Sequence, residues 1–253
     1  MKGIDVSKHN GAVDWDKVAR AGIGFAIVRA GYGKTYVDPW FERHFAGAKA
    51  AGLRVGVYHY SYALTPEDAR QEAKHLLTVL GGRETDMPLW FDMEDADGYK
   101  KKHGFAFTLR NVSAITQAFV DTIRASGRKC GVYASKSWFE NYIKVDADAV
   151  WVAQWADKPT YTGHYDVWQN SDAGRVDGVT GRVDTNVLYT EFWKEDNEVK
   201  YYEKLAEIPA GELRDTVKLL VDRKIIAGTD AGLHLSEDMV RLLTFNRRAG
   251  LYQ

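Results

Sequence analysis

Apolar residues in the first 190 or so positions fall into short strand-like runs, residues 24–29, 54–60 and 87–92, rich in β-branched and aromatic side chains and bounded by glycine or charge. The segments between them follow a helical period instead. Residues 41–51 set Phe41, Phe45, Ala48 and Ala51 along one face, and 67–80 follows Pro66, a residue suited to a first helical turn. Gly52 and Gly81 stop the two helices, and a third over 111–126 stops at Gly127 before a strand at 129–134. Such alternation predicts βα units around a mostly parallel sheet. Beyond about residue 145 the helical period disappears, and 149–155 and 165–170 read as strands joined by Gly- and Asp-rich loops. With roughly eight strands and four or five helices, the expected fold is α/β, an incomplete TIM-like barrel over residues 1–193 whose helices serve only its first part.

The pattern changes after Trp193. Residues 194–200 are charged and have no apolar anchor, which suits a linker. From Tyr201 the period is helical: 212–223 places Leu213, Val217, Leu220 and Val221 on one face, and Ser236 caps a helix through Arg248 that stops at Gly250. Residues 201–253 are therefore expected to form a small all-α domain. Its core is marginal by itself, so packing on the barrel or on another chain is expected.

Composition removes several classes of function. At 253 residues and 45% hydrophobic the chain can bury a large core, which excludes general disorder. Lys+Arg 34 against Asp+Glu 35 leaves no basic field, so nucleic acid is not an expected partner. One cysteine, Cys130, excludes an internal disulfide and leaves nothing for a cysteine-based zinc site. No apolar run approaches the ~18 residues of a membrane span, so no membrane partner is expected. Met1-Lys2-Gly3-Ile4-Asp5 passes straight into strand-like sequence, and no cleaved leader is expected.

The chemistry concentrates in Leu89-Trp90-Phe91-Asp92-Met93-Glu94-Asp95, an apolar strand ending in acids. Side chains two apart on a strand share a face, so Asp92 and Glu94 should project together at the C-terminal rim. Crowding raises one of two neighbouring carboxyl pKa values, and a protonated acid near neutrality is what cleavage of a glycosidic bond requires. Asp5 ends the opening strand and Asp184 a late one, so four acids should converge. Aromatic residues gather at the same rim, among them Tyr32, Tyr58, Tyr60, Tyr133 and Trp155, and aromatic faces suit sugars as well as core packing. Three strand-end aspartates of no common purpose, or a carboxylate site for Mg²⁺ or Ca²⁺, are the alternative readings.

Six segments, in this order, resemble the glycoside hydrolase family 25 lysozymes, the Chalaropsis-type N-acetylmuramidases: Gly3-Ile4-Asp5-Val6-Ser7, Val28-Arg29-Ala30-Gly31-Tyr32-Gly33, Val57-Tyr58-His59-Tyr60, Trp90-Phe91-Asp92-Met93-Glu94, Trp151-Val152-Ala153-Gln154-Trp155 and Val183-Asp184-Thr185-Asn186. The resemblance runs from Gly3 to about Trp193. It implies a (β/α)5(β)3 barrel, five βα units followed by antiparallel strands, and cleavage of the β-1,4 bond between N-acetylmuramic acid and N-acetylglucosamine in bacterial peptidoglycan. Glu94 then resembles the general acid, and Asp92 the acid that supports the anomeric carbon, by orienting the substrate's N-acetyl group in an assisted mechanism. Asp5 and Asp184 resemble a supporting pair, and Tyr58, Gln154 and Trp155 cleft residues. No cofactor or metal is implied. More faintly, 201–253 resembles a helical unit of S-layer homology type, which implies binding to a wall polymer; a homodimer contact is the rival expectation. With no leader, the expected setting is that of a phage or prophage endolysin, made in the cytoplasm and acting on the wall after release. A chitinase-like barrel, a non-catalytic carbohydrate-binding barrel and a metal-dependent barrel hydrolase stay open at this stage.

Overall fold

The structure, a computed structural model, describes residues 1–193, 201–228 and 232–252, so the expected linker at 194–200 lies outside the described residues. It divides into two compact units, 1–193 and 194–253. In chain order the first runs β1 (Lys2–Val6), α1 (Trp15–Arg20), β2 (Phe25–Tyr32), β3 (Tyr36–Val37), α2 (Phe41–Ala50), β4 (Arg54–Tyr60), α3 (Pro66–Leu80), β5 (Leu89–Asp92), α4 (Tyr99–Lys102), α5 (Leu109–Ala125), β6 (Cys130–Ser135), α6 (Lys136–Asn141), β7 (Ala149–Ala153), β8 (Val167–Gly174) and β9 (Val183–Leu188). Strands β1, β2, β4, β5, β6, β7, β8 and β9 pair in that order, and β9 returns to β1 to close a barrel, while β3 hangs on β2.

Helices α1, α2, α3, α5 and α6 fill the first five crossovers, and none follows α6 in the barrel. The long helices lie where their apolar period puts them; α5 starts at Leu109, two residues early, because the Thr108 side chain caps it by accepting from the Asn111 N–H. One expectation changes. Strands β7 and β8 are parallel, and β9 is antiparallel to both β8 and β1. A parallel pairing needs a crossover of about a dozen residues, and residues 154–166 supply one without a helix.

Strand alternation sorts the apolar residues into two layers. Ala26, Val28, Val57, Leu89, Phe91 and Val132 face outward onto Phe41, Leu76 and Phe119 of the helices. Phe25, Ile27, Trp90, Trp151, Val167 and Leu188 face inward and fill the barrel. Trp90 sets the tightest fit, edge-on to Trp151 and Phe192, with Gly131 of β6 so close that a Cβ there would lie 2.3 Å from its ring.

The second unit holds β10 (Tyr201–Tyr202), α7 (Glu212–Asp222), β11 (Leu235–Ser236) and α8 (Glu237–Arg248). The expected all-α domain thus also contains a two-residue antiparallel pair, Tyr201 opposite Ser236 and Tyr202 opposite Leu235. Its core is Tyr202, Ile208, Val217, Leu235 and Val240, with Leu220 of α7 also buried, and an Arg248–Glu212 ion pair joins α8 to α7. Both helices lie where the periodicity places them.

The inner layer makes a direct prediction. Gly131→Ala should destabilise the barrel by about 1–3 kcal/mol through overpacking against Trp90, read as a lowered urea midpoint; an unchanged midpoint would mean that the indole is free to move aside.

Candidate active site

The four acids converge at one rim of the barrel by two different routes. Asp5 lies near the end of β1, and Asp92 is the last residue of β5. Glu94 extends the same alternation past the strand end, with the Met93 N–H donating to Tyr133 O at 2.9 Å and the Met93 side chain buried in the outer layer. Asp184, expected at the end of its strand, stands near the start of β9. Because β9 runs antiparallel, its start lies at the rim where the others end, directly opposite Asp5 in the ladder. Together with Arg29, Tyr58, Tyr60, Tyr133, Trp151 and Gln169, the acids line a cavity of about 310 Å³.

Two side-chain amides orient Asp5. An indole N–H can only donate, so Trp151 Nε1 at 2.8 Å makes Asn186 Oδ1 an acceptor and turns Nδ2 onto Asp5 Oδ2, also 2.8 Å away. Gln169 repeats the logic: Oε1 accepts from Trp155 Nε1 at 3.1 Å and Tyr133 Oη at 2.9 Å, and Nε2 donates to Asp5 Oδ2 at 3.0 Å. Burial raises the Asp5 pKa, but bonds from Asn186, Gln169 and Asp184 pull it back. Asp184 has no such amides. Burial, the Asp5 charge and its hydrogen bond to Asp5 push its pKa up to about 8. Asp184 therefore keeps its proton at neutral pH.

The second pair, Asp92 and Glu94, is also raised. Burial followed by the Glu94 charge holds Asp92 well above the usual carboxylate range, and burial brings Glu94 to about 7 against the opposing charge of Lys100. Asp92 is 4% exposed and its Oδ1 has no hydrogen-bond partner among the described residues. Glu94 is only partly buried and reaches the cavity. Arg29 of β2 brings a cation to the same cavity, held by Asp38 through a 2.8 Å bond at Nε. Strand β2 changes register between Arg29 and Gly31, where the Tyr36 carbonyl would sit 1.9 Å from any Cβ on Gly31. Only glycine fits there.

Of the expected aromatic residues, Tyr58, Tyr60 and Tyr133 line the cavity. Trp155 stands on its rim, 61% exposed and anchored through Gln169. Tyr32 does not line it and stacks instead on Tyr36 at 3.9 Å. Gln154 is also displaced: its carboxamide bonds Thr160, steadying the loop after β7, and Gln169 of β8 takes the place expected of it. Four residues were not singled out from sequence. Asn186 and Gln169 carried a signal, as polar residues at inward positions of barrel strands, and so did Arg29, a charge on an apolar strand. Lys100 carried none, since Lys100-Lys101-Lys102 reads as a solvated run.

A barrel with paired carboxyls at the rim of its strands offers the two groups that glycoside hydrolysis uses. The chain belongs to Glycosyl hydrolases family 25, whose sequence model matches residues 4–179. Among its relatives, the "Autolytic lysozyme" of Clostridium acetobutylicum is 29% identical over 187 residues, 73% of this chain and 54% of that protein, so the chain spans about half the length of that relative. The lysozyme of Streptomyces coelicolor superposes with a TM-score of 0.62 at 25% identity, over 76% of this chain and 93% of that one. The CTP1L endolysin shares the fold at 21% identity, with a TM-score of 0.67 over 98% of this chain and 99% of its own.

The raised Glu94 pKa has a consequence for stability. Between about 4.5 and 7 the folded state binds a proton that the unfolded chain has lost, so this group's contribution falls as pH rises and is least above pH 7. Glu94→Gln should therefore be more stable than wild type by an amount that grows from pH 5 to pH 8, reaching roughly 2 kcal/mol. Urea unfolding at both pH values measures it; a gain independent of pH would contradict the shift.

Proposed function

We propose that the chain is a lysozyme, an N-acetylmuramidase that hydrolyses the β-1,4 bond between N-acetylmuramic acid and N-acetylglucosamine in bacterial peptidoglycan. The observation that carries this is the Asp92–Glu94 pair: two carboxyls sharing a buried rim, the more accessible one raised to about 7. Glu94, protonated, gives its proton to the leaving oxygen as the glycosidic bond breaks. Asp92, deeper in the same cavity, supports the anomeric carbon by orienting the substrate's N-acetyl group. Asp5 and Asp184 set the charge beneath the sugar, and Tyr58, Tyr60 and Tyr133 shape the cleft. Trp155, anchored at its indole N–H, offers a ring face for stacking.

Relatives named for lysozyme and autolytic activity support peptidoglycan as the substrate class, and an endolysin-like release from the cytoplasm is the matching setting. For residues 201–253 the proposal is an anchoring role, to the wall polymer or to a second copy of the chain. Sedimentation with purified walls and light scattering, comparing the full chain with one ending at Trp193, tell the two apart.

The test is to digest purified Gram-positive peptidoglycan, reduce the products with borohydride and identify the new ends by mass spectrometry. Wild type should release reduced muramic acid ends, and Glu94→Gln should release them at least about a hundredfold more slowly. Reduced glucosamine ends, release from chitin instead, or equal activity of the two proteins would each overturn the assignment. Activity should be unchanged by EDTA, against the metal-dependent reading, and should fall as pH rises through about 7, where protonated Glu94 is lost.

A further inference from the structure

Among the described residues Lys100 is a lysine with no exposed surface. Burying an ammonium is expensive unless it is paired and hydrogen-bonded, so its partners define what it is for. They are two main-chain carbonyls: Ser61 O, immediately after β4, and Glu94 O at 2.8 Å. Ser61 N–H in turn donates to Asp92 O at 3.0 Å. The ammonium therefore ties the end of β4 to the residue proposed as the acid. Its own backbone is locked from the other side, since Asp95 accepts from the N–H groups of Lys100 at 2.6 Å and Lys101 at 3.1 Å, closing the loop between Glu94 and α4.

Behind the ammonium, from α3, comes Glu72, whose Oε1 accepts the Tyr62 N–H at 2.8 Å. The Tyr60 ring of β4 lies 5.8 Å from Nζ. Toward the cavity the charges that act on Lys100 are Asp92 and Glu94, with Asp95 in the loop. Asp5 of β1, Asp97 of the loop and Arg29 of β2 act on the acidic pair from its other sides. Lys100 is thus the cation between a buried helix carboxyl and the acids Asp92 and Glu94.

We propose that Lys100 is a positioning residue for the hydrolysis: it holds the Glu94 main chain against the end of β4 and puts a positive charge directly behind the Asp92–Glu94 pair. This rests on the reading that the pair performs the reaction. Removing the charge makes each carboxylate harder to form, so the pair titrates at higher pH. Burial raises Glu72 itself to about 7, and above that pH, where it is charged, neutralising it has the opposite effect, because the Lys100 charge is then less balanced. A clamp that acted only through its two carbonyl bonds would move neither titration.

The experiment compares pH–rate profiles on peptidoglycan, with kcat and KM separated, for wild type, Lys100→Met and Glu72→Gln. Lys100→Met should lower kcat with little change in KM and displace the profile upward by about one pH unit. Glu72→Gln, which retains both carbonyl bonds, should displace it downward by roughly a few tenths of a unit. Unmoved profiles, or two displacements in the same direction, overturn the proposal. If Lys100→Met does not fold, as read by circular dichroism, the Glu72→Gln displacement decides alone. Carboxyl ¹³C titration of the same proteins reads these displacements without substrate, so an inactive wild type would count against the muramidase reading while Lys100 is still judged by its own result.

Discussion

Four carboxyl groups share one small, largely buried cavity, and the surrounding barrel is arranged to make that tolerable. Isolated buried carboxylates would each need compensation that a strand end cannot supply. The structure meets the requirement in two ways. Raised pKa values keep part of the cluster protonated near neutrality, as at Asp184, and fixed donors or a cation stand beside the other acids: Asn186 and Gln169 at Asp5, Lys100 behind Asp92 and Glu94. The protonated acid that glycoside hydrolysis calls for thus follows chiefly from the burial of Glu94 at this rim.

That requirement explains features of the fold that otherwise look incidental. The indoles of Trp151 and Trp155 act as more than packing, since their N–H groups determine which way the two amides face. The antiparallel course of β9 brings Asp184 and Asn186 to the rim from the opposite chain direction, and only with β9 beside β1 can Asp184 and Asp5 share a proton. The change of register in β2 occurs next to Arg29, whose guanidinium is the cation on the opposite wall. Gln169 connects an exposed ring to a buried acid through one carboxamide.

Much of the site was legible in the chain because strands obey a two-residue period. Asp92 and Glu94 had to project on one face, and apolar runs ending in acid had to end at a rim. The helices of the barrel's first part were legible for a similar reason, as 41–51, 67–80 and 111–126 carry a full apolar period with glycine stops, and so was their absence after α6. What failed were inferences about residues whose role depends on a neighbour far along the chain. Gln154 and Gln169 are equally polar and each follows a strand-like apolar stretch; which of them faces Asp5 depends on how the loop at 154–160 closes on itself through Thr160. Tyr32 stands in a rim motif, yet its ring is taken by Tyr36.

The sequence by itself determined the alternation of strands and helices, the acids at the ends of β1 and β5 and the helical character of residues 201–253, because these follow from periodicities and residue types that act over a few positions. The tertiary structure alone decided which acid pairs with which, that β8 is parallel to β7, and that Lys100 is buried at the centre of a charge network while Lys101 and Lys102 stay in water. Each of these is set by groups brought together from distant strands, where desolvation and fixed dipoles outweigh the local preference of any one residue.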